Sequence, residues 1–485
     1  MKFKRTISRG LALVLITSFY QGAYSCKDGR INETQRPNIV FILVDDLGWS
    51  DLGFMGSEYY DTPNVDRLAT EGMYFTDFYA GGPVCSPTRA SILTGKYTAR
   101  TGITTYLITP EKDVDYISHH LELSEYTLAE ALRDNGYITG LFGKWHLGYK
   151  SEHWAANQGF MVAIGGTTSQ NAWRMLYPDK DPPVKQNEVL YFSPHFLTHM
   201  DDGPQGEYIT DRLTNETINF IESNCNGSRP FFAFLSFHTV HTPLEAKPEI
   251  IEKYRKKFMD PGILNIDDME NGSRKYQNLP EYAAMVHHMD ENVGRLLKKI
   301  DELGIRDNTI IVYSSDNGGK HTVTSNFPLR GAKHNLYEGG IRVPLIIRWP
   351  DLIKSNTKCG EPLISNDLYP TLLDLANLPS VPEQHVDGVS FKKLLTGNGK
   401  MKKRSALFWH YPHGVFQGAV RMGDYKLVYN YKTGEAELFN LSKDLSERED
   451  LSRTEYPRVQ EMKSMLRQWL VEVNARFPEE GINLP

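Results

Sequence analysis

Asn38-Ile39-Val40-Phe41-Ile42-Leu43-Val44, closed at once by Asp45-Asp46, is the stretch on which the fold turns. After Asn38 the run is unbroken apolar and rich in β-branched residues. That is the pattern of a strand covered on both faces, rather than the alternation of a strand with one wet face. Similar runs recur at Tyr137 to Phe142, Phe231 to Phe237, Thr309 to Tyr313 and Val343 to Ile347. Between them lie helix-periodic segments, at Leu128 to Leu132, Asp211 to Ile221 and, the longest, Glu281 to Leu303. Strands alternating with helices predict an α/β architecture, with a large, mostly parallel mixed sheet between layers of helices.

After a helical stretch at Leu368 to Leu375 the pattern changes. Pro379, Pro382 and Gly388 mark a boundary, and short strand-like runs follow at Ala406 to His410, Gly418 to Met422, Tyr425 to Tyr431 and Glu435 to Phe439. An amphipathic segment, Val459 to Val473, closes the chain. We therefore divide it into a main unit at 36–380 and a smaller C-terminal α/β unit at 381–485, an antiparallel sheet with one helix. With no internal repeat and no low-complexity linker, the two are expected to pack as one body.

Residues 1–25 have the form of an export signal. Lys2, Lys4, Arg5 and Arg9 precede the apolar run Leu11 to Tyr20, which is too short for a typical membrane span. Ala23-Tyr24-Ser25-Cys26 resembles a relaxed bacterial lipobox, and cleavage before Cys26 would leave that cysteine lipidated. The alternative is ordinary cleavage and a free periplasmic product. A lipid at Cys26 would be the chain's one tie to a membrane, since no other stretch is apolar enough to span one.

The formal charge of −6 argues against nucleic acid as a partner, because such partners favour a basic surface. An anionic substrate would need a local cluster of Lys, Arg and His, or a bound cation. The four cysteines, at 26, 85, 225 and 359, show no paired C-x-x-C spacing and so no zinc-cluster pattern. Cys225 and Cys359 are free to pair or to remain thiols.

Asp45-Asp46 follows the first apolar run, and Asp316-Asn317 follows the run Thr309 to Tyr313. Ligands of open α/β sheets bind beyond the carboxyl ends of the strands. Three carboxylates and an amide form an oxygen-only donor set suited to Ca²⁺ or Mg²⁺ rather than zinc. One such pair alone would read as turn or helix-cap residues. Cys85-Ser86-Pro87-Thr88-Arg89, followed by Ala90 to Lys96, would alone read as a buried cysteine before a helix.

Taken together, these motifs resemble the type I, formylglycine-dependent sulfatases, in particular bacterial arylsulfatase A-like and N-acetylgalactosamine sulfatase-like glycan sulfatases. Cys85-x-Pro87-x-Arg89 resembles their maturation signal, and Pro37 to Val40 with Asp45-Asp46 their first metal motif. Thr62 to Ala69, Gly143-Lys144-Trp145-His146-Leu147-Gly148, His241-Thr242-Pro243, and Lys333 before Tyr337 to Pro344 match further signatures. The resemblance covers roughly residues 36 to 380 and continues more weakly beyond.

The resemblance implies an alkaline-phosphatase-like sandwich and a sulfuric ester hydrolase. It implies oxidation of Cys85 to formylglycine by a partner maturase, and calcium held by Asp45, Asp46, Asp316 and Asn317 with residue 85 close by. Arg89 and Lys144 would hold the aldehyde hydrate, while Lys144, His241 and Lys333 would face the sulfate. His146 would accept a proton from the hydrate, and His241 would protonate the leaving sugar oxygen, with Lys333 as the competing donor. A histidine suits proton transfer near neutral pH.

The expected substrate is a sulfated glycan or oligosaccharide, cleaved in exo fashion. Galactose or N-acetylgalactosamine 4-O-sulfate stands first, 6-O-sulfate second and a 2-O-sulfated uronic acid third. Leu407 to His413 mixes aromatic and imidazole groups, so His410 and His413 are candidates for sugar contacts, or else part of an aromatic core strand. Two other readings stay open: a phosphonate or phosphodiester hydrolase of the same superfamily, and an inactive glycan-binding lipoprotein.

Overall fold

The computed structural model describes residues 36–107, 115–166, 190–195, 197, 199–258, 269–270, 273–478 and 481–485. The export segment and Cys26 lie outside the described residues. Sixteen strands are described. Those of the main unit are β1 (Asn38–Val44), β2 (Met73–Phe75), β3 (Phe78–Tyr79), β4 (Ile138–Lys144), β5 (Val162–Gly166), β6 (Phe231–Ser236), β7 (Met269–Glu270), β8 (Ser273–Arg274), β9 (Thr309–Ser315), β10 (Leu345–Arg348), β11 (Thr357–Cys359) and β12 (Leu363–Ile364). The C-terminal strands are β13 (Leu407–Tyr411), β14 (Gln417–Met422), β15 (Tyr425–Asn430) and β16 (Ala436–Asn440).

Eight strands form the central sheet, in the order β11-β2-β10-β9-β1-β6-β4-β5. From β9 to β5 every pairing is parallel, and β10 runs antiparallel to both of its neighbours. β1 is central and wholly buried. Its alternate side chains serve two cores, as the two-residue repeat of a strand requires. Val40, Ile42 and Val44 join one core with Ile209, Leu213, Tyr282 and Met285 from the helices Ile209–Asn224 and Pro280–Glu302. Ile39, Phe41 and Leu43 join the other with Leu128 and Leu132, and with Leu368 and Leu372 of Leu368–Leu375. The continuous apolar run thus has its cause in helices on both faces.

Two strands outlast their apolar text. β9 continues through Ser314 and Ser315, whose buried hydroxyls donate to the carbonyls of Pro344 at 2.8 Å and Asn317 at 2.9 Å. β4 continues to Lys144 through Gly143, at φ +107, where a Cβ would lie 2.0 Å from the Ser236 carbonyl oxygen. Only glycine lets the two backbones approach there.

The C-terminal strands form a four-stranded antiparallel sheet, covered by the helix Tyr456–Glu472. Its core includes Trp409, Leu427, Leu438 and Leu466 together with Tyr79, Val84, Leu336 and Ile341 of the main unit. Charged groups cross the same contact. Arg421 donates to Asp77 at 2.7 Å, and Lys426 lies 2.7 Å from Glu338 and 2.9 Å from Glu447. Among the described residues no helix is long and apolar enough to cross a membrane.

Candidate active site

Four parallel strands deliver their following residues to one edge of the sheet. Asp45 and Asp46 follow β1, His146 follows β4, His238 and His241 follow β6, and Asp316 and Asn317 follow β9. Cys85 arrives separately, as the first residue of the buried helix Cys85–Thr94. The carboxylate oxygens of Asp45 and Asp316 and the Cys85 sulfur lie within 4.8 Å of one another, as do ligand atoms of Asp45, Asp46 and His241.

Buried charges here are paired with charges of opposite sign, as burial demands. Arg89 makes a two-pronged contact with Asp316 Oδ2, at 3.0 Å from Nε and 2.6 Å from its terminal nitrogen. Another Arg89 nitrogen donates to Ser236 Oγ at 2.5 Å and to the Lys144 carbonyl at 3.0 Å. Lys144 Nζ donates to Asp45 Oδ2 at 2.5 Å. Lys333 Nζ reaches both oxygens of Asp46 at 2.6 Å, and Asn317 Nδ2 reaches Asp46 Oδ1 at 2.8 Å. Burial opposes ionisation of Asp46, but Lys333, His241 and Lys144 outweigh it and hold the carboxyl far below its ordinary range. For Asp316 burial and the neighbouring Asp45 prevail, and its carboxyl is pushed up to about 6. Burial also raises the Cys85 thiol.

Two oxygens in this cluster are orphaned. Asp45 Oδ1 and Asn317 Oδ1 are buried without a hydrogen-bond partner, an arrangement that costs free energy unless something fills the gap. A hard cation bound by oxygen would satisfy both, so the donor set fits Ca²⁺.

The histidines divide by their contacts. His146 Nε2 lies 3.0 Å from the Leu107 carbonyl oxygen, a geometry that places the proton on Nε2. Its Nδ1 is buried, partnerless and therefore a free acceptor. Burial, then Lys144 and Arg89, hold the ring neutral, well below the ordinary imidazole range. His241 Nδ1 donates to the Thr242 carbonyl at 2.6 Å, and Nε2 stands 3.6 Å from Asp46 Oδ2. Burial and then Lys333 lower His241 to about 3. Lys333 moves the other way: Asp46 outweighs burial and keeps it charged. His146 and Asp46 both sit at positive φ (59° and 63°), a left-handed backbone uncommon outside glycine.

The two C-terminal histidines part company. His413 lies in the turn after β13, bonded to Thr104 Oγ1 at 2.8 Å and ring-to-ring with Tyr411. Tyr411 in turn lies 3.4 Å from Nδ1 of His334, the neighbour of Lys333, so this wall adjoins the cleft. His410 is corrected by the structure. It is buried within β13, with Nδ1 at 2.9 Å from the Tyr431 hydroxyl and Nε2 at 3.0 Å from the Arg476 carbonyl, and it offers nothing to a substrate. Ser236, the Leu107 carbonyl, Tyr149 and His334 belong to the site but escaped the sequence reading. Tyr149 shares the Leu107 carbonyl with His146.

Known proteins resemble this chain over most of its length. The Sulfatase family model matches residues 37–378, and the model of the N-sulphoglucosamine sulphohydrolase C-terminal region matches 332–476. A sulfatase of Formosa agariphila is 30% identical over 98% of this chain and 94% of its own. The N-acetylgalactosamine-6-sulfatase of Mus musculus is 30% identical over 81% of this chain and 72% of its own. Among solved structures, Ps i-CgsB in complex with k-i-k-neocarrahexaose is 30% identical, with a TM-score of 0.76 and coverage of 92% and 95%.

Proposed function

This chain belongs to the sulfatase family and is a sulfuric ester hydrolase, and on that premise we propose that it removes sulfate from a carbohydrate using formylglycine at position 85 and Ca²⁺. The observation that carries the reading is the meeting of Cys85 with Asp45 and Asp316 among matched cations, beside two orphaned oxygens. The Cys85 sulfur stands where the oxygens of the oxidised residue would be. When present, the aldehyde hydrate supplies the nucleophile and calcium polarises the sulfate.

The chain's own residues do the rest. Lys144 and Lys333 meet the sulfate oxygens with charge already in place, so little reorganisation accompanies S–O cleavage. Arg89 anchors Asp316 and, through Ser236 and the Lys144 carbonyl, fixes the backbone from which Lys144 projects. His146 Nδ1 is the proton acceptor beside residue 85. His241 Nε2 faces the corner shared by Asp46 and Lys333 and gives its proton to the leaving sugar oxygen. Burial and then Lys333 hold the ring neutral; an anionic sulfate, by offsetting Lys333, would let Nε2 take up the proton that it then gives.

For the substrate we keep galactose or N-acetylgalactosamine 4-O-sulfate first, then 6-O-sulfate, then a 2-O-sulfated uronide. The names of the mouse relative and of the neocarrahexaose complex favour a galacto-configured sugar. His413, in the turn beyond β13, is the group we assign to its ring. Export, with a lipid at Cys26, and a maturase acting on the unfolded chain complete the reading.

The test is sulfate release from a matched panel of these sugars, using protein shown by mass spectrometry to carry formylglycine at 85. Release from one member, lost in Cys85→Ala, would support the reading. No release from any member, with phosphonate monoesters cleaved instead, would overturn it.

A further inference from the structure

Beside the reactive cleft lies a second cavity of about 690 Å³, within the range of about 300–1,000 Å³ typical of small-molecule sites. Its floor is the segment Thr324 to Gly331. Arg274, Lys275, His321, Glu437, Glu447 and Arg448 also line the cavity.

The cavity is built onto the cleft. Asn326 in its floor accepts the Gly319 N–H at 3.1 Å and donates to the Gly319 carbonyl at 3.0 Å, two residues beyond Asn317. Gly331 at its end lies two residues before Lys333. Lys320, next to His321, reaches Thr242 Oγ1 at 3.4 Å, beside His241. Thr242 and Lys320 therefore link the sulfate-facing corner to the lining of the cavity.

Its charge is positive in a chain whose net charge is negative. Arg274, Lys275 and Arg448 face two carboxylates, each already paired with another cation. Glu437 is held by Arg330 at 3.0 Å, and Glu447 stands 2.9 Å from the buried Lys426. Lys275 and Arg448 are exposed. Phe327, 65% exposed on the same floor, offers a flat apolar face of the kind on which a sugar ring stacks. A local basic pocket on an acidic protein concentrates anions where the overall field would repel them.

We propose that this cavity binds a second anionic residue of the oligosaccharide whose sulfate is removed in the cleft, so that the enzyme favours multiply sulfated chains over single sulfated sugars. The proposal rests on the sulfatase reading. The charge to be recognised is a sulfate or a uronate carboxylate.

The experiment is calorimetric titration of the full-length protein with two probes, sucrose octasulfate and trigalacturonate, alongside turnover of 4-nitrophenyl sulfate. The variants are Lys275→Glu/Arg448→Glu and Phe327→Ala. Octasulfate affinity is expected to fall at least tenfold in the double charge reversal and severalfold in Phe327→Ala, with 4-nitrophenyl sulfate turnover unchanged. A parallel fall for trigalacturonate would extend recognition to carboxylates; a fall confined to octasulfate would restrict it to sulfate. Unchanged octasulfate affinity in the double variant would overturn the proposal, as would an equal loss of 4-nitrophenyl sulfate turnover. Wild-type protein that cleaves no sulfate ester, yet binds octasulfate through these residues, would retire the sulfatase reading and leave the anion cavity standing.

Discussion

Ser86 Oγ accepts the backbone N–H of Leu107 at 3.1 Å, which ties the residue after Cys85 to the residue whose carbonyl orients His146. The Leu107 carbonyl receives both the His146 Nε2 proton and the Tyr149 hydroxyl. Those contacts leave His146 Nδ1 buried as a free acceptor, the role proposed for it above. Removing the Ser86 hydroxyl withdraws one buried hydrogen bond, about 0.5–1.5 kcal/mol, and loosens the Leu107 peptide. Ser86→Ala is expected to lower kcat about two- to tenfold with KM little changed, after rates are normalised to formylglycine content by mass spectrometry. A normalised kcat equal to wild type would show that Leu107 holds its place without Ser86.

Metal removal should act on stability as well as on rate. Asp45 Oδ1 and Asn317 Oδ1 lack partners, whereas the other Asp45 oxygen is already held by Lys144. A cation that fills the gap binds the folded state alone, and each tenfold rise in free Ca²⁺ above Kd adds about 1.4 kcal/mol. Chelation should abolish sulfate release and lower Tm, and added Ca²⁺ should restore both. Asn317→Ala should shift the calcium dependence of Tm to higher concentration. A Tm indifferent to Ca²⁺ from micromolar to millimolar would remove calcium from the site.

Much of this site was legible because each residue stands where an apolar run stops. Asp45-Asp46 and Asp316-Asn317 announce themselves as carboxylates and an amide at the ends of buried strands. Lys144 and His146 do the same around β4. What stayed hidden acts without a distinctive side chain or position. Leu107 contributes a carbonyl, which any residue type would supply, and Ser236 is the last residue of a strand that reads as wholly structural. His410 and His413 looked alike in sequence and differ by place: one lies inside a strand with both nitrogens satisfied, the other in the turn beyond it. The antiparallel insertion of β10 was equally hidden, because a buried strand has the same composition in either direction.

Leaving-group dependence separates the two candidate proton donors. His241 Nε2 and Lys333 Nζ share the Asp46 corner, but only a group that gives up its proton helps a poor leaving group. His241→Ala should cost about 10²–10⁴-fold in kcat on a sugar sulfate, the usual worth of general acid catalysis. It should cost far less on 4-nitrophenyl sulfate, whose phenoxide departs unaided. Equal losses on both would assign His241 to sulfate binding and pass the proton to Lys333.

Stability of the joint between the two sheets should depend on pH through Glu338, Glu447 and Lys426, all fully buried. Glu338 faces three cations, Lys426, Arg342 and Arg421. They overcome its burial and hold it at about 2, below its ordinary 4.5. Glu447 shares Lys426 with Glu338, and burial pushes it up to about 7. The signs therefore differ. Glu338 contributes stability above pH 4.5 that is lost as pH falls toward 2. Glu447 contributes stability below pH 4.5 that is lost as pH rises through 7, with a slope of at most about 1.4 kcal/mol per pH unit for one proton. Glu447→Gln cannot ionise and lacks the second slope. Its Tm, relative to wild type, should climb between pH 5 and pH 8 in a thermal-melt series. Lys426→Met, by contrast, takes the ion-pair partner from buried Glu447 and one of three cations from Glu338, and should destabilise by about 3–5 kcal/mol at neutral pH. A constant Tm difference between Glu447→Gln and wild type across that range would mean that Glu447 is already ionised in the folded protein at pH 5.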